Sequence, residues 1–262
     1  MNGGTAAVTG STSGVCGDFA VCPTNAPDCF STGATPIADP IVSHKPVCND
    51  LPADPAHGNC SGSTVPVINS INYTGCSTGC TLSPGFYTTV INPPDDAKIT
   101  FAPGLYVLSK GLTVSHNNVT LTGTGVSFFN THSNYPTEPN PPFPCGGGFS
   151  ISSQTATLTL AAPLSGTYKG MLLYQDCAND VSISSSANVN VTAGTIYAPY
   201  AKVTMTGPAG GQLTVSQIVA KTVNISAGAG PGGGAAIVVN YDPAKAADSN
   251  VGGSSPYPYL AE

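Results

Sequence analysis

Polar and apolar residues alternate along most of the chain between Thr81 and Tyr241. The alternating segments are about five residues long, and a period of two is typical of strands with one buried and one exposed face. Gly, Asn, Ser and Pro separate the segments and favour turns. The clearest segments are Lys98–Phe101, Gly111–Ser115, Asn118–Thr122, Ala156–Leu160, Asp180–Ser184, Asn188–Thr192 and Lys202–Thr206. The pattern predicts an all-β chain.

A short motif repeats within this β region. Leu82-Ser-Pro-Gly-Phe-Tyr87 recurs nineteen residues later as Phe101-Ala-Pro-Gly-Leu-Tyr106. A period near twenty residues is typical of a solenoid, in which each unit buries its apolar face against the next. The Asn-Gly and Asp-Gly signals of tight hairpins are missing from the region. We therefore predict a right-handed parallel β-helix, with a β-sandwich or jelly roll as the alternative.

Three regions are predicted along the chain. Residues 1–80 are rich in Cys, Pro and Asp, and we expect them to form an irregular, disulfide-linked cap that covers exposed strand edges. Residues 81–241 are the predicted β-solenoid. Within it, residues 131–148 contain five prolines in a short run, which predicts a projecting loop that is either a binding loop or a surface insertion. Residues 242–262 are predicted to be a tail.

The end of the predicted solenoid is strongly apolar. The segment Ala235–Asn240 resembles a terminal strand with free backbone donors and acceptors. Such a strand readily pairs with a partner or with another copy of the chain. The alternative is that residues 242–262 fold back and cover it.

Composition excludes several functions. The chain has 262 residues and a net charge of −6, only 8% of its residues are charged, and its seven basic residues are all lysines. We expect no nucleic-acid binding, because phosphate recognition needs a concentrated basic surface. We also expect no membrane insertion by this segment, because no apolar run approaches the ~20 residues of a membrane span.

Nine cysteines indicate an oxidising compartment. Seven lie in the first eighty residues, and we expect the remaining two, Cys145 and Cys177, to form a disulfide. Disulfides are favoured over a metal site because close Cys-x-x-Cys pairs are missing. The odd number leaves at least one thiol unpaired or bound outside the chain. The first residues do not resemble a signal peptide, so we expect an upstream leader or anchor and an extracellular or cell-surface location.

Residues suited to catalysis are sparse. The acids between residues 81 and 241 are Asp95, Asp96, Glu138, Asp176 and Asp180. A glycoside hydrolase needs two facing carboxylates, which either Asp95 with Asp96 or Asp176 with Asp180 could supply, although both pairs also fit structural turns. The four histidines have no motif context, and no nucleophile elbow or phosphate-binding loop occurs. We predict no catalytic residue, no cofactor and no metal ligand.

Thr-x-Thr pairs mark a candidate binding surface. On the outward side of strands they would form a neutral, hydroxyl-rich face suited to adhesion, glycan contact, self-association or adsorption to ice. The candidate residues are Thr120, Thr122, Thr157, Thr159, Thr204 and Thr206. The alternative explanation is that Thr favours exposed strand positions for its β propensity alone.

A series of motifs resembles a known family. In chain order the motifs are Phe101–Leu108, Gly111–Val114, Leu121–Phe129, Leu160–Asp176, Gly194–Pro199 and Gln217–Ala220. The series is similar to the secreted β-solenoid region of bacterial TadE/TadG-like proteins, which are associated with tight-adherence (Flp) pilus assembly. The resemblance implies a non-enzymatic structural or adhesive module at the cell surface, in contact with pilus or other surface proteins, and it transfers no catalytic residues.

Two other functions stay open at this point. A polysaccharide-acting enzyme is one, because parallel β-helices often house lyases and hydrolases. The other is ice binding, because Pro-Gly-x-Tyr followed by Thr-rich strands is also similar to bacterial ice-binding β-solenoids. Against ice binding, the Thr pairs do not recur at one fixed sequence spacing.

Overall fold

The structure is a computed structural model of the chain, and it describes residues 41, 44–53, 63–136, 143–153, 155–184, 189–207, 212–227, 236–239 and 247. These residues form strands, with short 3-10 turns such as Cys48–Asp50. The strands are β1 (Val67–Ile68), β2 (Cys80–Leu82), β3 (Gly85–Tyr87), β4 (Lys98–Phe101), β5 (Gly104–Leu108), β6 (Leu112–Val114), β7 (Thr120–Thr124), β8 (Val126–Asn130), β9 (Phe149–Ile151), β10 (Thr157–Ala161), β11 (Met171–Gln175), β12 (Val181–Ser184), β13 (Val189–Ala193), β14 (Thr195–Gly207), β15 (Gln212–Val215), β16 (Gln217–Ala227) and β17 (Ala236–Val239). The predicted all-β class is confirmed.

The strand pairs within the described ranges are all parallel. Ile99 of β4, for example, lies opposite Leu121 of β7, which lies opposite Leu158 of β10. This pairing differs from the sandwich and jelly-roll alternative, whose sheets are antiparallel.

The strands form three stacks. The first contains β2, β4, β7, β10, β13, β15 and β17; the second contains β1, β3, β5, β8 and β11; the third contains β6, β9 and β12. The long strands β14 and β16 continue the second stack with their first parts and the third stack with their second parts. The chain visits the three stacks in turn, as in β4, β5 and β6 followed by β7, β8 and β9. We call each such round a coil.

Aromatic side chains from successive coils pack together in the interior. The ring of Phe128 is fully buried, and its centroid lies 5.1 Å from that of Phe101, 5.4 Å from that of Tyr106 and 5.9 Å from that of Phe149. These distances are typical of favourable aromatic pairs. Each coil therefore buries its inward apolar residues against its neighbours, as a solenoid requires.

The repeated Pro-Gly-x-Tyr motif forms the corner between the first and second stacks. The hydroxyls of Tyr87 and Tyr106 each reach the backbone carbonyl four residues upstream, at 2.6 and 2.8 Å. Burial raises the pKa of Tyr87 to about 12, and the neighbouring Tyr73 adds to the shift, so the hydroxyl of Tyr87 keeps its proton at neutral pH. Gly104 has a φ of 139°, and a Cβ there would lie 2.5 Å from Cγ of Pro84 in the preceding coil. Glycine is needed where one coil stacks on the proline of another.

The second stack is buried on both sides. All residues of β8 and β11 are buried, whereas the alternating segments that predict one exposed face belong to the first and third stacks. Outward-facing Phe129, Tyr174 and Tyr197 form a second apolar cluster. Residues from elsewhere in the chain, including Ile41 and Leu51, cover them.

The cover is a segment that we call the strap, defined as Ile41 and residues 44–53. The Tyr135 hydroxyl donates a hydrogen bond to the carbonyl of Pro46 at 2.7 Å. The Tyr168 hydroxyl donates to Oδ2 of Asp50 at 2.8 Å. Burial raises the pKa of Tyr168, and the hydrogen bond to Asp50 raises it further. The strap is thus fixed by polar contacts as well as by apolar burial.

We predict that Phe128→Ala lowers the free energy of unfolding by about 3–5 kcal/mol, because it removes a buried ring and leaves a cavity between coils. Chemical denaturation measures the change. The matched control is Leu164→Ala at a side chain that is 65% exposed, where we expect less than about 0.5 kcal/mol. Equal losses in the two variants would contradict the packing described for Phe128.

Candidate functional site

Threonine side chains form a continuous row on the outer face of the first stack. Thr81, Thr100, Thr122 and Thr159 are register neighbours in four successive coils. The hydroxyl oxygens of Thr100 and Thr122 lie 3.2 Å apart. Their neighbours within the strands, such as Leu121 beside Thr122, point inward and are fully buried. Side chains alternate along a strand, so the threonines point outward. We call these four residues the threonine row.

A second row runs beside the first. Lys98, Thr120 and Thr157 are register neighbours, two positions before the corresponding members of the threonine row. Thr157 and Thr159 are exposed, whereas Thr120 is half-buried. Adjacent strands lie about 4.8 Å apart, and alternate residues of a strand about 6.7 Å apart. The two rows therefore present hydroxyl groups as a regular grid.

The remaining two predicted residues lie on a different face. Thr204 and Thr206 belong to the third stack, where Thr204 lies between Ser182 and Asn224 in register. The hydroxyl of Thr206 lies 3.2 Å from that of Ser226. The structure therefore brings Thr120, Thr122, Thr157 and Thr159 together and separates them from Thr204 and Thr206. Thr81 and Thr100 complete the first face. The Thr-x-Thr pattern does not include them, because neither has a second threonine two positions away.

The threonines stay in register although their sequence spacing varies. The step from Thr122 to Thr159 is much longer than the step from Thr100 to Thr122. The extra residues lie between β8 and β9, which are joined by residues 131–148, whereas residues 109–111 join β5 to β6 in the preceding coil. Irregular spacing along the chain is thus compatible with a regular surface, and it does not count against ice binding.

Three of the acidic residues hold corners of successive coils together. Oδ1 of Asp95 accepts a hydrogen bond from the backbone N–H of Asn117 at 2.7 Å, and Oδ1 of Asp96 accepts one from the side-chain amide of Asn118 at 3.0 Å. Asp96 and Asn118 both have positive φ values, 62° and 56°, a conformation that Asp and Asn tolerate. Oδ1 of Asp180 accepts a hydrogen bond from the backbone N–H of Lys202, one coil later, at 3.3 Å. Each of these three acids therefore fits the structural-turn interpretation, because its carboxylate bonds to the next coil.

Asp176 lies in a buried polar cluster beside the strap. Its side chain is fully buried, and Oδ1 lies 2.7 Å from Nζ of Lys45, whose side chain is 25% exposed. The hydroxyl of Thr131 lies 3.4 Å from Oδ2. Next to Asp176, the side-chain amide nitrogen of Asn130 donates to Oε1 of Gln175 at 2.9 Å. The cluster joins the strap to the ends of β8 and β11.

Cys145 and Cys177 form a disulfide with a Cα–Cα distance of 5.2 Å, the pairing predicted from the sequence. It holds the last part of the predicted loop, residues 143–148, against the end of β11. The backbone N–H of Ala178 donates to the carbonyl of Phe143 at 2.7 Å and strengthens this attachment. A second disulfide joins Cys76 to Cys80. Disulfides persist outside the reducing cytoplasm, so they indicate a non-cytoplasmic protein.

Several predicted features lie outside the described residues. They are Cys16, Cys22, Cys29, His57, Cys60, Glu138 and the tail 242–262 apart from Ala247. Among the residues that the structure describes, no group of three His, Cys, Asp or Glu side chains is arranged to hold a metal ion. His116 lies at a coil corner with Nδ1 3.7 Å from Oδ1 of Asp95, and His132 packs its ring against Phe143.

We predict that Cys145→Ser/Cys177→Ser lowers the free energy of unfolding by about 2–4 kcal/mol and exposes residues 131–148 to proteolysis, because the crosslink closes a loop with a sequence separation of 32. Far-UV circular dichroism should remain that of a β protein, since stacked coils supply most of the burial. The matched control is Cys76→Ser/Cys80→Ser, whose separation is only 4 and whose loss should be smaller. A larger loss in the control would contradict this expectation.

The described residues contain no helix with the length and apolar character needed to cross a bilayer. The chain matches no family model, no curated protein and no solved structure at a significant level. Its function is therefore inferred from its own sequence and geometry.

Proposed function

We propose that the chain is a non-enzymatic extracellular module that adheres to flat, neutral surfaces, built on a right-handed parallel β-helix. The observation that carries the proposal is the threonine row, which presents outward hydroxyl groups over four coils, with the hydroxyls of Thr120 and Thr157 beside it. The right-handed sense follows the strong preference of connections between parallel strands.

A grid of hydroxyls on a rigid stack suits a ligand that is itself repetitive. The backbone register fixes the spacing of the rows, so little side-chain freedom is lost when a matching surface binds. Hydroxyl groups both donate and accept hydrogen bonds, which fits the hydroxyls of an extended polysaccharide. Lys98, at one end of the second row, is the charged member of the two rows. We therefore favour a neutral glycan at a cell surface as the ligand.

The acidic residues support a non-enzymatic function. Asp95, Asp96 and Asp180 each accept a backbone or side-chain hydrogen bond from the next coil. Asp176 is fully buried beside Lys45. Each of these carboxylates has a structural role, whereas a hydrolase needs two that face a shared substrate.

From the motif resemblance to TadE/TadG-like proteins we infer a position at the cell surface with pilus or fibre proteins as partners. The family is associated with tight adherence, which agrees with an adhesive face. Two disulfides agree with export, because such bonds form in oxidising compartments.

Ice is a second candidate ligand. The in-register threonine row favours it, because a regular two-dimensional array of methyl and hydroxyl groups can order water in a fixed pattern. Thermal hysteresis and faceted ice crystals would identify this activity, whereas retention on insoluble glycans without either effect would identify the first.

We predict that Thr100→Tyr/Thr122→Tyr weakens binding of the purified chain to insoluble neutral polysaccharides at least about tenfold, a loss of roughly 1.4 kcal/mol. Two large rings in the middle of the threonine row would prevent a flat surface from approaching the other hydroxyls. Co-sedimentation at increasing ligand concentration measures the affinity. The matched control is Thr204→Tyr/Thr206→Tyr, which places the same rings on the third stack.

Equal weakening in the control would show that the first stack is not the binding face. No retention of the unaltered chain on any glycan or on ice would overturn the adhesive function. Reproducible glycan cleavage that disappears in Asp95→Asn or Asp176→Asn would establish the enzyme alternative.

Self-association is the further contact that we propose for this module. Val223 and Ile225 of β16 are 42% and 48% exposed, although their register partners Val203 and Met205 are fully buried. Apolar inward positions at a strand edge suit pairing with a strand of a second copy. β17, within the predicted apolar segment 235–240, pairs in parallel with β15.

We predict that the chain associates as its concentration rises and that Ile225→Lys reduces the association, because a buried lysine at the new contact is unfavourable. Light scattering measures the mass. The matched control is Val90→Lys, at a site with 39% exposure. If the unaltered chain and a truncation after Asp242 both stay monomeric at high concentration, the self-association is wrong; if the truncation alone associates, the tail is the cover.

A further inference from the structure

Lys45, which is partly exposed, contacts the fully buried Asp176 and so joins two distant parts of the chain by opposite charges. Nζ of Lys45 lies 2.7 Å from Oδ1 of Asp176. Because a carbonyl C–O bond is about 1.2 Å long, Nζ lies at most about 4 Å from Cγ of the same carboxyl group. That separation is close to the ~3–3.5 Å of reacting atoms that are held ready for attack.

The Asp176 side of the contact is buried, although the Lys45 side chain is 25% exposed. The side chains of Gln175, Asp176 and Cys177 are all fully buried. On the strap side, Tyr135 is 3% exposed and bonds to the carbonyl of Pro46, the residue after Lys45. Holding the Asp176 carboxylate in such a place is costly, because its charge loses its hydration there. Burial therefore opposes the charged form of this carboxyl group, whereas the adjacent ammonium of Lys45 favours it.

We propose that Lys45 and Asp176 become joined by an intramolecular isopeptide bond. This bond is a modification site distinct from the adhesive face and independent of the proposed function. A neutral amide removes the buried charge of Asp176 together with that of Lys45, and it keeps the strap in the position that the structure gives it.

The reaction needs no further reactant. One proton passes from the ammonium group of Lys45 to the carboxylate of Asp176, and the neutral amine attacks Cγ. The Nζ–Cγ bond forms, one Cγ–O bond breaks, and the departing oxygen leaves as water with two of the three ammonium hydrogens. The third hydrogen remains on the amide nitrogen, so atoms and charge balance. The hydroxyl of Thr131, 3.4 Å from Oδ2, marks Oδ2 as the oxygen that can receive a proton and leave.

The chain contains a second Lys–Asp pair that lacks these surroundings. Nζ of Lys202 lies 2.9 Å from Oδ2 of Asp180, but the two side chains are 46% and 51% exposed. Water reaches both side chains and keeps their charges hydrated, so we expect no bond to form between them. It is therefore a matched control within the same molecule.

The test is the intact mass of the purified full-length chain after reduction and denaturation, which remove the effect of disulfides. We expect a mass below the sequence mass by one water molecule, both in the unaltered chain and in Lys202→Arg. Lys45→Arg, which keeps the charge of the strap, should have its full sequence mass. Proteolysis followed by tandem mass spectrometry should find one branched peptide that contains Lys45 and Asp176.

Two results would overturn the proposal. The first is the full sequence mass in the unaltered chain. The second is a loss of water that persists in Lys45→Arg, because the dehydration would then lie elsewhere. If Lys45→Arg fails to fold, the mass and the branched peptide of the unaltered chain decide the question without it.

Discussion

The parallel register between coils is the constraint on which the rest of the structure depends. Backbone hydrogen bonds place Ile99 opposite Leu121 and Leu121 opposite Leu158, and a shift by one residue would move every side chain of a strand to the other face. The same register that buries these residues in the interior aligns Thr100 and Thr122 on the outside. The core and the candidate binding face are therefore two consequences of one set of backbone bonds.

The strand class and the corner motif could be predicted because both are local. Period-two alternation shows which side of a strand is apolar. The Pro-Gly-x-Tyr repeat marks a corner that is closed by a hydrogen bond from the tyrosine hydroxyl to the carbonyl four residues upstream. Met171–Tyr174 is a continuous apolar run, a local pattern that is typical of a strand buried on both sides. The segment that covers it, however, lies far away in sequence. The strap could not be found from alternation, because residues 44–53 contain none.

Two features of the candidate sites could not be predicted, because they depend on residues that are far apart in sequence. They are the face on which each threonine lies and the contact between Lys45 and Asp176. Thr-x-Thr pairs identify outward threonines but not the face on which they lie, so Thr122 and Thr204 could not be assigned to separate stacks. Lys45 and Asp176 meet only because the strap crosses β11 near its end. The interpretation of Asp176 as a partner of Asp180 in a turn follows from their closeness in sequence, yet one is fully buried and the other half exposed.

The low charge content of the chain and its covalent links are related. A surface of threonine, serine and asparagine loses little hydration energy when it meets a neutral ligand, whereas lysine and aspartate would have to be desolvated. The few charges are therefore best placed where they bond to the backbone of another coil, as Asp95 and Asp180 do. Covalent links can attach peripheral segments in a chain with few charges: Cys145–Cys177 holds residues 143–148 of the proline-rich loop, and a bond between Lys45 and Asp176 would hold the strap in the same way. Both links lie at the end of β11 in the second stack, whereas the threonine row lies on the first stack. The attachments therefore strengthen a stack other than the one that carries the candidate binding face.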